Sequence, residues 1–141
     1  MSARPNNAYG SPLLSKLGIK GGHRLAFPGA PDGFRELLGE LPADTVVRSR
    51  ASGPLDVIVF FIKRRAELER RLPVLRRSMD PAAGLWIAWP KRASGVSTDV
   101  TEDVVRELGY ENTLVDNKVC AIDETWSALR LVIRLEDRPG A

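Results

Sequence analysis

The 141-residue sequence predicts a three-layer α/β domain built on a mostly parallel sheet of about six strands. Three observations carry this. The run DVIVFFI at 56–62 is apolar without alternation, as a strand covered on both faces requires. After it, a charged segment sets Leu68, Leu72, Leu75 and Met79 on one helical face and leads into a second apolar run, Leu85 to Trp89. Strand, helix and strand in that order place the two strands parallel. Finally, Leu114–Ile122 and Trp126–Leu135 are separated only by Asp123, Glu124 and Thr125, too short a link for a parallel crossover, so they form an antiparallel hairpin.

The remaining elements follow in order. Residues 1–11, with Pro5, Asn6, Asn7 and Gly10, read as a flexible arm, and a single domain spans 12–138. Ser11 suits the cap of a short helix with Pro12 at its first position, running through Leu13, Leu14 and Leu17 to Gly18. His23–Phe27 is the first strand, and Pro31 opens a helix carrying Phe34, Leu37 and Leu38. Thr45–Val47 is a short second strand. Pro73 predicts a kinked helix or two short ones between the third and fourth strands. Asp99 and Glu102 have capping-box spacing before a helix with Val100, Val104, Val105 and Leu108 as its buried stripe, ending at Gly109. The expected strand order is 2-1-3-4-6-5, with the last strand antiparallel.

Composition narrows the function classes. Hydrophobic residues at 43% and charged residues at 28% suit a globular chain, and no apolar run approaches the roughly 20 residues of a membrane span. The N-terminal stretch lacks a signal-peptide pattern, and Cys120, the single cysteine, allows neither an internal disulfide nor a zinc cluster. A cytoplasmic setting is expected. The net charge of +3 permits anion contacts without demanding them. Glutamates interleave the arginines of the 64–77 segment and no aromatics accompany them, which argues against nucleic acid.

The topology, with the strand at Asp56 and the segment LPVLRRSMDPAAGLWIAWP at 72–90, resembles the Rossmann-like class I methyltransferases. The whole chain also resembles a family of short bacterial proteins without an assigned activity, through SPLLSKLGIK, LWIAWPKRASGVSTDVTEDVVRELG and LVDNKVCAIDETWSALRLVIR. The methyltransferase resemblance implies a glycine-rich cofactor loop after the first strand and a carboxylate ending the second. Here Phe27–Gly33 carries two prolines, and Arg48 stands where the acid is implied. One strand–helix unit is also absent from the pattern. No cofactor is therefore expected.

Candidate binding residues gather where strands end. Lys63, Arg64 and Arg65 place cations at a helix start, against its dipole, and a bound anion would offset that cost. The alternative is solvated side chains paired with Glu67 and Glu69. Lys91, Arg92 and Ser94 lie in a polar loop after a buried strand, either as anion donors or as parts of a capping turn. Lys118 sits in the polar interruption Asp116–Lys118 of a strand, facing solvent or the cleft. Gly29 and Asp32 shape the first loop. Trp86, Trp89, Trp126 and Cys120 read as packing residues. The expected function is a non-catalytic, methyltransferase-like protein binding a small anionic ligand or a protein partner at the carboxyl edge of the sheet; the alternatives are a reduced S-adenosylmethionine-dependent methyltransferase and a nucleic-acid-binding module using the arginine-rich helix.

Overall fold

A computed structural model describes residues 12–50 and 52–139. The arm at 1–11, with the cap assigned to Ser11, lies outside the described residues. The chain runs α1 (Pro12–Leu17), β1 (Arg24–Ala26), α2 (Phe34–Leu38), β2 (Val46–Arg48), β3 (Leu55–Phe61), α3 (Arg65–Arg77), β4 (Met79–Pro90), α4 (Glu102–Glu111), β5 (Leu114–Ala121) and β6 (Trp126–Ile133). The strands form one six-stranded sheet in the order β2-β1-β3-β4-β6-β5, as the sequence predicts. β1 pairs in parallel with β2 and β3, and β3 with β4, whereas β6 runs antiparallel to both β4 and β5. This is a Rossmann-like sheet ending in an antiparallel hairpin. The return from β2 to β3 contains no helix among the described residues, in keeping with the missing strand–helix unit.

β3 shows how the unbroken apolar run works. Val57, Val59 and Phe61 enter the core shared with α1 and α2, while Ile58 and Phe60 enter the one beneath α3 and α4. Alternate residues of one strand thus feed two cores, so neither face can be polar. Leu68, Leu72 and Leu75 anchor α3, and Val105 and Leu108 anchor α4. α1 is too short to persist alone. Its Leu13, Leu14 and Leu17 are buried, and the Trp86 indole N–H donates to the Leu17 carbonyl at 3.0 Å, tying the helix to β4.

Four elements differ from the sequence reading, the first being α2, which starts at Phe34 after Gly33 and not at Pro31. α3 runs unbroken through Pro73, because leucines on both sides of it are buried, each contributing about 1.5–3 kcal/mol against the roughly 3 kcal/mol an interior proline costs. β4 starts at Met79 rather than Leu85, and a bulge accommodates the extra length: Leu55 pairs with Met79 and Val57 with Gly84, so five steps of β4 oppose two of β3. α4 starts at Glu102 and continues past Gly109 to Glu111. Gly109 serves packing instead of termination, since a Cβ there would come within 3.0 Å of the Leu131 side chain.

Candidate functional site

In an open α/β sheet, ligands bind beyond the carboxyl ends of the strands. Here that edge collects the loop after β1, the residues after β3, the Lys91–Asp99 loop after β4 and the hairpin turn before β6. It divides into a filled half and an open half.

The filled half lies at the first loop. The Phe61 amide donates to the Pro28 carbonyl at 3.0 Å, drawing the loop down onto the end of β3. Gly29 has φ 75°, and a Cβ there would come within 2.6 Å of the Phe61 carbonyl oxygen, so its missing side chain is used by the protein's own backbone. Phe27, Phe34, Phe61 and Trp126 then pack edge to face in a row, with successive centroids 5.2, 4.8 and 5.1 Å apart. What remains is a hollow of about 150 Å³ against Asp32, Gly33, Phe34, Phe61, Ile122 and Asp123. Arg48, ending β2, donates to the Ser52 carbonyl at 3.0 Å.

The open half is a cleft of about 560 Å³ over the end of β4 and the starts of β6 and α4. Its walls are Trp89–Arg92, Gly95–Thr98, Val100–Glu102 and Ser127. Polar contacts hold the loop. The Lys91 amide donates to the Thr125 carbonyl and its ammonium to the Asp123 carbonyl, both at 2.7 Å. Ser94 donates to the Lys91 carbonyl at 2.6 Å and accepts from the Val96 amide at 3.2 Å, forming a one-turn helix that closes at Gly95. At its far end the loop is strapped to α3. Thr98 Oγ1 donates to the Lys63 carbonyl and Asp99 Oδ1 accepts from the Arg65 amide, each at 2.7 Å. Asp99 therefore caps α3, and Thr101, accepting from the Val104 amide at 3.2 Å, caps α4 in its place.

The structure places the eight candidate residues unequally. Lys91 and Arg92 line the cleft, with Ser94 supporting their turn. Lys63 and Arg65 stand at the start of α3, where the anion suggested by the clustered cations is the chain's own Asp99, and Arg65 also pairs with Glu69 at 3.3 Å. Gly29 and Asp32 belong to the filled half. Lys118 lies mid-strand opposite Arg130, away from this edge. Arg92 is exposed and, among the described residues, its guanidinium has no hydrogen bond or ion pair, while its carbonyl accepts from the Gly95 amide at 3.3 Å. Ser127 joins the cleft because it pairs with Trp89 across the β4–β6 ladder, a consequence of hairpin register that no local pattern signals.

A second polar group sits at the opposite edge. Asp56, the one acid leading β3, accepts from the Arg24 amide at 2.7 Å and from its guanidinium at 2.9 and 3.0 Å. The guanidinium hydrogen bonds hold the Asp56 carboxyl below the usual carboxylate range. The pair joins the starts of β1 and β3. The Cys120 thiol is pushed up by burial, as befits an inert packing residue.

No protein-family pattern and no curated protein matches the sequence. Solved structures do match the fold. A magnesium protoporphyrin IX methyltransferase (ChlM) from Synechocystis PCC 6803 with bound SAM aligns with TM-score 0.57 and 11% identity, over 91% of this chain and 76% of that one. A protein assigned as a methyltransferase, from Thermoplasma acidophilum, aligns with TM-score 0.57 and 9% identity, over 89% and 75%. LepI, in its complex with SAM, aligns with TM-score 0.52 and 13% identity, over 95% and 50%. The chain has the methyltransferase fold.

These structures correct the expectation of no cofactor. ChlM is solved with SAM and with SAH, and LepI likewise with each, so an argument from Arg48 and the first loop does not dismiss such a group. The first loop of this chain nonetheless does not fit it. Ligand pockets run from about 300 to 1,000 Å³, and the hollow beside Asp32 is about 150 Å³ with four aromatic rings stacked alongside. The cleft beside Arg92, at about 560 Å³, has the capacity that the first loop lacks.

Proposed function

We propose that this protein is a methyltransferase-like binding domain that holds a small molecule by its carboxylate or phosphate group in the cleft beside Arg92 and performs no reaction on it. The observation that carries the reading is a guanidinium without a partner among the described residues, at the wall of a cleft of ligand size, over the carboxyl end of β4 and the start of β6. The cleft also presents the Gly95–Thr98 loop, and a guanidinium binds carboxylates or phosphates through paired hydrogen bonds. Trp89 lies in the same wall and offers a ring face to a planar ligand.

The ionisable groups of the cleft support binding over catalysis. The Lys91 ammonium is spent on the Asp123 carbonyl, and Glu102 is paired with Arg106 at 2.6 Å. Proton transfer needs a group within hydrogen-bond reach and free to exchange a proton, and neither is free. S-adenosylmethionine carries a carboxylate and is the first molecule to test, given the structures that share this fold.

Calorimetric titration of the full chain with S-adenosylmethionine and S-adenosylhomocysteine tests the reading. At least one should bind, and Arg92→Glu should weaken it tenfold or more, with no conversion of the first into the second during incubation. Turnover would overturn the non-catalytic part. Unchanged affinity in the variant, or no binding together with a bare chain in native mass spectrometry of protein from its own host, would overturn the site.

A further inference from the structure

Two half-buried arginines of the sheet, Arg48 and Arg130, meet no carboxylate among the described residues, and Arg48 donates instead to the Ser52 carbonyl. The others are answered: Arg24 by Asp56 and Asp80, Arg106 by Glu102, Asp103 and Asp116, and Arg134 by Asp137. Among the described residues, Arg130 makes one side-chain hydrogen bond, a long one of 3.4 Å to the Asn117 side-chain oxygen. Its guanidinium lies against the backbone of Gly84, where a Cβ would come within 2.5 Å of Nε and 2.9 Å of Nη2. Glycine at this position is what gives the guanidinium a shelf.

The surroundings add positive charge. Lys118 is the direct cross-strand partner of Arg130, and like charges so placed repel. Register assigns the face. Cys120 pairs with Ala128, and both belong to the core shared with α1 and α2. Alternation along the strands puts Lys118 and Arg130 on that same side. Lys16 and Lys118 both bear on the Cys120 thiol, and Arg138, donating to the Ile133 carbonyl at 3.0 Å, bears on Arg130. Burial moves Arg130 below the ordinary arginine value, and the charge of Arg138 moves it further the same way. Two acids close to these residues in sequence are committed elsewhere, since Asp116 pairs with Arg106 and Asp137 with Arg134. The strand itself bulges between Asp116 and Lys118, which sets the Asn117 amide beside the guanidinium.

We propose that Arg130, with Lys118, Arg138 and the Asn117 amide, binds the phosphomonoester group of a small molecule on the α1 face of the β5–β6 hairpin. A phosphomonoester carries a charge of about −1.5 to −2 at neutral pH and three acceptor oxygens. That matches a guanidinium flanked by the cross-strand Lys118 and by the charge of Arg138 better than a phosphodiester does. A guanidinium with no carboxylate to meet and only one long hydrogen bond keeps donor capacity for phosphate oxygens. The site lies on the β5–β6 hairpin, apart from the Arg92 cleft, and does not depend on what that cleft binds.

The test is an NMR titration of the full chain with inorganic phosphate, phenyl phosphate and a single-stranded oligonucleotide. Saturable shifts at Gly84, Asn117, Lys118 and Arg130 are expected with the two phosphates, and Arg130→Gln should weaken binding at least tenfold. Arg130→Lys, which keeps the charge but loses the fork, and Lys118→Gln, at an exposed position, should each weaken it severalfold and serve if the first variant does not fold. Absence of shifts at these residues would overturn the proposal, as would unchanged affinity in the folded variants. Tighter binding of the oligonucleotide through the same residues would overturn the assignment to a phosphomonoester.

Discussion

Removing the carboxylate of Asp99 should unfasten the cleft loop from α3, with a cost that the structure allows to be worked out. Asp99 Oδ1 accepts the Arg65 amide at 2.7 Å, at the first turn of a helix whose N-cap residue, Arg64, offers no side-chain cap. Loss of an N-cap costs about 1 kcal/mol, within a range of roughly 0.5–2. Removal of a negative charge from a helix start adds about 0.3–1 kcal/mol. Together these give roughly 1–3 kcal/mol for Asp99→Ala. A domain near 150 residues loses about 2–4 °C of Tm per kcal/mol, so a fall of about 2–12 °C is expected in calorimetry at neutral pH. Asp99→Asn keeps an acceptor and should recover most of it. In hydrogen exchange, the Arg65 amide should lose protection in the alanine variant before other α3 amides do. A melt within about 1 °C of the parent (the limit of a routine scan, about 0.3–0.5 kcal/mol), or an Arg65 amide unchanged in exchange, would refute the strap.

Two further outcomes follow from the tertiary contacts. Trp86→Phe leaves the Leu17 carbonyl without its donor in a buried setting. That should cost about 1–3 kcal/mol, read as a lower urea midpoint, and an unchanged midpoint would show that α1 does not hang on this bond. The Arg24–Asp56 pair makes acid sensitivity specific. A carboxyl whose folded pKa is lowered contributes stability above its unfolded value of about 3.9 and loses it as pH falls through the folded value. Urea melts from about pH 5 down to about pH 2.5 should therefore show a shallower acid decline in Asp56→Asn than in the parent, and parallel declines would count against the pair.

The sheet was legible because its signals are local. The run at 56–62 declares a doubly covered strand by composition, and the three residues between the hairpin strands dictate an antiparallel pair by length alone. The site was legible only in outline. Lys91 and Arg92 follow a buried strand and do reach the cleft, but the destination of Asp99 is 34 residues away in α3, against a capping-box spacing that points to its own helix. Thr101 competes for that role and wins, which frees Asp99 for the longer contact. The filled half escaped notice for a related reason. Phe34, Phe61 and Trp126 each read as ordinary core, and only their convergence at one strand end shows that they fill the space a ligand would take. Pro73 misled because a local penalty was weighed without the leucines on either side of it.

The hairpin has a consequence for how the sheet is assembled during synthesis. β6 follows the other five strands in the chain, yet it lies inside the sheet, between β4 and β5. Until Trp126–Ile133 has emerged from the ribosome, β4 exposes an open edge and β5 has no strand to pair with. A nascent chain halted in the turn at Asp123 presents the unpaired edge of a largely apolar twelve-residue strand to its neighbours. The sheet therefore closes only when the sixth of its strands arrives, and a premature stop in β6 does its harm through sticking before it does any through lost binding.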